Sequence, residues 1–150
     1  MSDLYTSSQT VAVVAAAYNE KSEIVKFLNQ KGYETIDYGC DSESSVDYPD
    51  YAHILSKKIV TGEVEKGILI CGTGIGISIA ANRNKGIRAA LCCNEYHAEM
   101  SRQHNDANII AFGARVTNIK DMFRMIDIFL NTEFSAGRHK KRVEKIENNK

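Results

Sequence analysis

Gly67-Ile68-Leu69-Ile70-Cys71-Gly72-Thr73-Gly74-Ile75-Gly76-Ile77-Ser78 is the stretch that decides the fold. Gly67 to Cys71 is an unbroken apolar run, too short for a buried helix and closed by a turn, which is the pattern of a strand covered on both faces. Glycines at 72, 74 and 76 follow it directly and lead into Ile77 to Lys85, which reads as a helix. A buried strand feeding a helix through a tight turn is one step of a parallel βαβ unit.

The same alternation extends both ways. Upstream, Thr10 to Ala17 (TVAVVAAA) reads as a central strand, and Ser22 to Lys31 sets Ile24, Val25, Phe27 and Leu28 on a helical spacing ended by Gly32. Tyr33 to Tyr38 reads as a strand, Gly39 to Tyr48 as a polar acidic loop, and Pro49 opens a helix to about Thr61. Downstream, Arg88 to Cys93, Glu95 to His104, Asn108 to Phe112 and Asn118 to Asn131 give strand, helix, strand, helix, and Arg138 to Glu147 a last basic helix. Residues 1–9 read as a disordered tail before a single domain over 10–150. The fold class expected is α/β, a three-layer α/β/α sandwich on a five-stranded parallel sheet, Rossmann-like. Ligands of such sheets bind beyond the carboxyl ends of the strands, so the loops starting at Tyr18, Gly39, Cys71, Cys93 and Gly113 are expected to surround the site.

A chain of 150 residues with 43% hydrophobic content buries enough surface to need no disulfide or metal staple, and excludes collagen-like, mucin-like and broadly disordered classes. No apolar run approaches the ~20 residues of a bilayer span. The start MSDLYTSSQT lacks the basic opening of a signal peptide, so a cytoplasmic protein with no membrane partner is expected. Cys40, Cys71, Cys92 and Cys93 form no CxxC pair and read as reduced thiols. The first 66 residues hold an excess of acids, whereas every arginine lies at or beyond Arg83. A neutral chain with an Arg-weighted half suits a small anionic ligand better than a nucleic acid.

The glycine turn lets backbone N–H groups converge at a helix N-terminus, an arrangement that binds anionic oxygen. It is neither a Walker A loop, lacking Lys-Ser/Thr, nor GxGxxG; Glu95 alone keeps a weak dinucleotide reading open, and a turn serving close packing only is the bland alternative. Cys71 faces the same helix end, which lowers a thiol pKa from ~8.5 toward neutral and suits it to act as a base. Cys92 and Cys93 fit the commoner role of buried filler, with one of the two facing the core, and Cys40 gives no signal. Ser101 to Asn108 packs a polar cluster before a buried strand; there His104 is either a proton carrier or a helix cap. His97 and His104 are not spaced as a zinc pair, and no metal is expected. Arg138 and Arg142, four apart on one helical face, are placed either to grip one phosphate or to face solvent.

Together ESSVDYPDYA, GILICGTGIGISIAANRNKGIRAALC, MSRQHNDANIIAFGARV and FSAGRHKKRVEKI resemble the ribose-5-phosphate isomerase type B family, from about Val11 to Glu147 in one register. The resemblance implies a cofactor-free aldose-ketose isomerase of the pentose phosphate pathway, interconverting ribose 5-phosphate and ribulose 5-phosphate through an enediolate. It also implies homodimers or homotetramers whose active sites are shared between subunits. Carried over, Cys71 matches the base, and Gly72, Gly74, Ile75, Gly76 and Ser78 belong to the enediolate-binding loop. Thr73 and His104 match the ring-opening residues, Tyr48 and Asn105 sugar contacts, and Arg115, Arg138 and Arg142 the phosphate-binding arginines.

One departure stands out. Where the family ends its first strand with Asp-His, assisting ring opening and contacting phosphate, this chain reads Ala15-Ala16-Ala17-Tyr18-Asn19-Glu20 and is about two residues short. Loss of a charge-assisted phosphate contact costs about 1.5 to 3 kcal/mol, so an impaired isomerase is expected. An inactive sugar-phosphate-binding homologue and an isomerase of a six-carbon sugar phosphate are the alternatives.

Overall fold

Five strands, β1 (Thr10–Ala15), β2 (Glu34–Asp37), β3 (Lys66–Cys71), β4 (Ala89–Leu91) and β5 (Ile109–Gly113), pair in parallel in the order β2-β1-β3-β5-β4. The structure is a computed structural model that describes residues 9–16, 18–39 and 47–148, with the backbone alone at Tyr18. Helices α1 (Tyr18–Gln30), α2 (Tyr48–Val60), α3 (Ile75–Asn82), α4 (Glu95–Gln103), α5 (Ile119–Asn131) and α6 (Arg138–Glu147) alternate with the strands and follow the last one.

The central strands are apolar throughout because both of their faces are covered. Val11, Val13, Ile68, Ile70, Ile110 and Phe112 point to the layer of α1, α4 and α5, where Leu28, Ala98, Met122 and Phe129 meet them. Ala12, Val14, Leu69, Cys71, Ile109 and Ala111 point the other way, onto Leu55 of α2 and Ile77 and Ala81 of α3. Each fully buried Ile or Leu contributes about 1.5 to 3 kcal/mol by leaving water. Two cores separated by one sheet make the α/β/α sandwich expected. From β1 the chain steps outward to β2, then returns to β3 on the opposite side. That reversal opens a crevice at the carboxyl ends of β1 and β3.

The boundaries differ in informative places. The α1 helix starts at Tyr18 rather than Ser22, and buried Lys21 in its first turns reaches Asp37 at the end of β2, 3.1 Å away. The Gln9 carbonyl accepts the Glu34 N–H at 3.2 Å, which ties the residue before β1 to β2. Residues 1–8, Ala17, Cys40 and the acidic loop through residue 46 lie outside the described residues. No described helix is long and apolar enough to cross a membrane.

Candidate active site

Cys71 closes β3 with its side chain nearly buried, and its Sγ accepts the Gly74 N–H at 3.2 Å. That contact requires the loop to turn sharply. Gly74 has φ 79°, and a Cβ there would lie 2.5 Å from Leu91 Cδ1, so both conformation and space demand glycine. The turn is stitched to the exit of β5: Ala114 N–H donates to the Cys71 carbonyl at 2.8 Å and Arg115 N–H to the Gly72 carbonyl at 3.0 Å. This brings the Arg115 guanidinium over Gly72, where an added Cβ would meet its Cζ at 3.3 Å.

From the other side α2 delivers Tyr48, whose hydroxyl lies so close above Gly76 that an added Cβ there would collide with it. Thr73 Oγ1 accepts the Ile75 N–H at 3.2 Å, while Gly76 and Ile77, in the first turn of α3, have amides with no acceptor inside the helix. Ala16, Tyr48, Cys71, Gly72, Thr73, Gly76 and Arg115 thus line one open hollow of about 330 Å³. A thiol, convergent amides and a guanidinium in one hollow can remove a proton beside a carbonyl and hold the negative oxygen that results. The glycines also serve close packing, so the bland reading of the turn is true without being the whole of it. Ser78 does not open on the hollow: it is buried, and its hydroxyl donates to the Ile75 carbonyl at 2.8 Å.

The remaining expected residues stand elsewhere. Cys71 pairs with Gly113 and Gly67 with Ile109, and the Gly67 N–H donates to the Asn108 carbonyl. The corner of His104 and Asn105, which precedes β5, therefore lies at the amino end of the sheet, about 13 Å along the strands from Cys71 at ~3.3 Å per residue. Arg138 and Arg142 are exposed on α6 at that same end. There Ser135 N–H donates to the Gln103 carbonyl at 3.1 Å, and the rings of His139 and His104 stack with centroids 4.1 Å apart. Partial desolvation, with His104, Arg138 and Arg142 nearby, holds His139 below the ordinary histidine range.

The expectation that all the strand-end loops encircle one site is corrected at Cys93. Edge strand β4 carries Cys93 to a separate hollow with Asn94, Glu95, Asp121 and Arg124, where Glu95 lies 3.5 Å from Arg124. Glu95 is thus remote from the glycine turn, and the dinucleotide reading loses its acid. Between the two clusters runs α3, with Ile75 and Ile79 exposed four residues apart on one face. Its far end borders a larger hollow of about 560 Å³ that reaches Asn105 and α6. Among the described residues no group of three or more His, Cys, Asp or Glu side chains is placed to hold a metal ion.

Sequence reasoning missed Arg88 and Glu147 and gave no individual role to Arg102 and Asp106 of the polar cluster; the four fix the second cluster. The only advance signal was Arg102 and Asp106 at i, i+4, an ion pair of 2.8 Å in the structure. For the adjacent cysteines the expectation holds: Cys92 is buried and Cys93 exposed. Burial pushes the Cys92 thiol up to about 12, leaving about one thiolate in ten thousand at pH 8. Iodoacetamide on the native protein is therefore expected to label Cys93 and spare Cys92, as read by peptide mass spectrometry. Equal labelling of the two would mean that the α4 layer opens readily.

Comparison with known proteins gives a consistent picture. A family model described as Ribose/Galactose Isomerase matches residues 10–146. Ribose-5-phosphate isomerase B of Escherichia coli (strain K12) is 49% identical over 126 residues, which are 84% of this chain and 85% of that protein. D-erythrulose-4-phosphate isomerase of Pectobacterium atrosepticum is 41% identical over 141 residues, 93% of this chain and 92% of that protein. The solved structure of Clostridium thermocellum ribose-5-phosphate isomerase B superposes with a TM-score of 0.91 at 48% identity, over 93% of this chain and 95% of that one.

Proposed function

The chain belongs to the ribose/galactose isomerase family, and from that premise we propose that it interconverts ribose 5-phosphate and ribulose 5-phosphate with Cys71 as the base. The observation that carries the reading is the Cys71 sulfur, held by the Gly74 amide at the mouth of the hollow beneath the N-terminus of α3. In the open-chain aldose the Cys71 thiolate takes the proton from C2. The C2 electron pair forms the C1–C2 double bond, and charge collects on O1, within reach of the amides of the glycine turn. Protonation of C1 by the Cys71 thiol and transfer of the O2 proton to O1 leave the ketose and restore the thiolate. Removing the proton calls for a general base, worth about 10²- to 10⁴-fold. Each well-aimed donor at the charged oxygen adds about 3 kcal/mol.

His104, Asn105, Arg138 and Arg142 reach this chemistry from a second copy of the chain. Helix α3 spans the distance between the two clusters: its 8 residues are about 12 Å long. Two copies that lay their exposed Ile75 and Ile79 together with α3 antiparallel bring each Cys71 beside the other copy's His104 corner. A single two-fold axis does this for both sites at once. In that arrangement Thr73 and His104 handle ring opening, Tyr48 and Asn105 contact the sugar, and Arg115, Arg138 and Arg142 hold the phosphate.

Ala16, a neutral wall of the hollow in the place of an acid, favours a second reading in which the chain binds a sugar phosphate without turning it over. A coupled assay across ribose 5-phosphate, allose 6-phosphate and galactose 6-phosphate decides. Highest kcat/KM on ribose 5-phosphate is expected. Binding with no turnover of any of the three would establish the second reading instead.

A further inference from the structure

Helix α6 carries Arg138 and Arg142 yet has no buried residue of its own, so its position depends on specific ties to the body. At its end the Glu147 carboxylate accepts the Gly86 N–H at 3.0 Å through Oε2 and pairs with the Arg88 guanidinium through Oε1. Arg88 does more than receive Glu147. Its Nε donates to the Asn105 carbonyl at 3.0 Å, and its Nη2 to the Asp106 carbonyl at 2.9 Å. Those carbonyls belong to the corner that presents His104 and Asn105, and the corner is bent through Asp106 at φ 46°, a conformation that non-glycine residues adopt at a cost. From the opposite side Arg102 Nη1 holds the Asp106 carboxylate at 2.8 Å and the Ala107 carbonyl at 2.7 Å. Arg88 itself is fixed at the entrance of β4, where its N–H donates to Asn108 Oδ1 at 2.9 Å and its carbonyl accepts the Asn108 N–H at 3.0 Å.

We propose that Arg88 is a positioning residue that sets the phosphate-binding helix α6 and the His104–Asn105 corner relative to each other, through Glu147 on one side and two backbone carbonyls on the other. A guanidinium suits the task because its planar fork serves a carboxylate and carbonyls in different directions at once; a lysine ammonium cannot hold that geometry. The functional part of the proposal rests on the isomerase reading. The mechanical part does not. If α6 and the corner move as one unit, the second copy delivers its arginines and its imidazole to the same substrate in fixed register.

Two variants and two readouts test it. Glu147→Ala removes the carboxylate tie at the end of α6 while leaving Arg88 on the corner and the His139–His104 stack in place. Its KM for ribose 5-phosphate is expected to rise about tenfold with kcat within about twofold, the size of one lost charge-assisted hydrogen bond acting on binding. Arg88→Ala releases both parts, so KM rises and kcat falls together; Arg88→Lys recovers less than half of either loss. Hydrogen exchange at short times, read by mass spectrometry, separates the mechanical claim from the activity. Glu147→Ala speeds exchange over 138–147 alone, whereas Arg88→Ala speeds it over both 104–107 and 138–147. Native exchange in both segments of the Arg88→Ala variant would overturn the proposal whether or not the protein turns over any sugar phosphate. If Arg88→Ala does not fold, unchanged KM and exchange in the Glu147→Ala protein would do the same. A wild type without isomerase activity, with exchange responding as described, would sink the isomerase reading and leave the coupling of the two segments standing.

Discussion

Replacing Cys71 with alanine is expected to lower kcat on ribose 5-phosphate by about 10²- to 10⁴-fold while changing KM by less than about twofold. The size follows from the place of the sulfur. It stands at the carboxyl end of β3 with the Gly74 amide 3.2 Å away, facing a hollow whose other walls include Tyr48, Thr73, Gly76 and Arg115. Among the described residues that line the hollow, none other carries a thiol, carboxylate or imidazole. In the proposed site phosphate is held by arginines that the substitution does not touch, so binding should survive. A direct measure is the exchange of the C2 proton of the substrate for deuterium in D₂O, followed by NMR. The wild type should wash the proton out and the alanine variant should not. Equal exchange in both proteins would remove Cys71 from the chemistry while leaving the fold and family untouched.

Mixing two inactive variants should restore activity. Cys71→Ala lacks the base in one cluster and His104→Ala the imidazole in the other, and the sheet keeps these clusters about 13 Å apart in one chain. If a second copy supplies His104, a mixed pair contains one site with both substitutions and one with neither. Random pairing of equal amounts should then yield about one quarter of the wild-type activity, since half of the pairs carry one intact site of two. A site confined to one chain would give no recovery at any mixing ratio. Co-expression with two affinity tags, followed by assay of the doubly tagged fraction, makes the measurement clean: that fraction should show about half the wild-type rate.

The sequence revealed most where a local pattern coincides with a tertiary demand. Unbroken apolar runs such as Ile68 to Cys71 announce a strand buried on both faces, and the structure puts their alternate residues into two separate cores. The glycine turn and Cys71 were legible for the same reason: a special conformation and a special residue fall next to each other along the chain. The start of α3 was not, because Ile75 and Gly76 are poor helix formers, held in the first turn by Tyr48 packing over Gly76 and by the turn at Gly74. Nor was the early start of α1, where Lys21 answers Asp37, a partner on another element. Motif resemblance implied a site shared between subunits but not which of the candidate residues lie at which end of the sheet. His104 and Cys71 each carry a clear chemical signal, but only strand direction and register reveal that parallel pairing points them to opposite ends of the sheet. Arg88 and Glu147 are 59 residues apart, and no pattern along the chain foretells their meeting.

The apolar face of α3 has a bearing on when the protein works at all. Ile75 and Ile79 stand in water on a lone chain, and hiding them favours association by an amount that grows with the area covered. If each centre is completed by a neighbour, as proposed, a newly made chain is idle until it meets another. Output in dilute solution then climbs with the square of the amount present, so that scarcity itself acts as an off state.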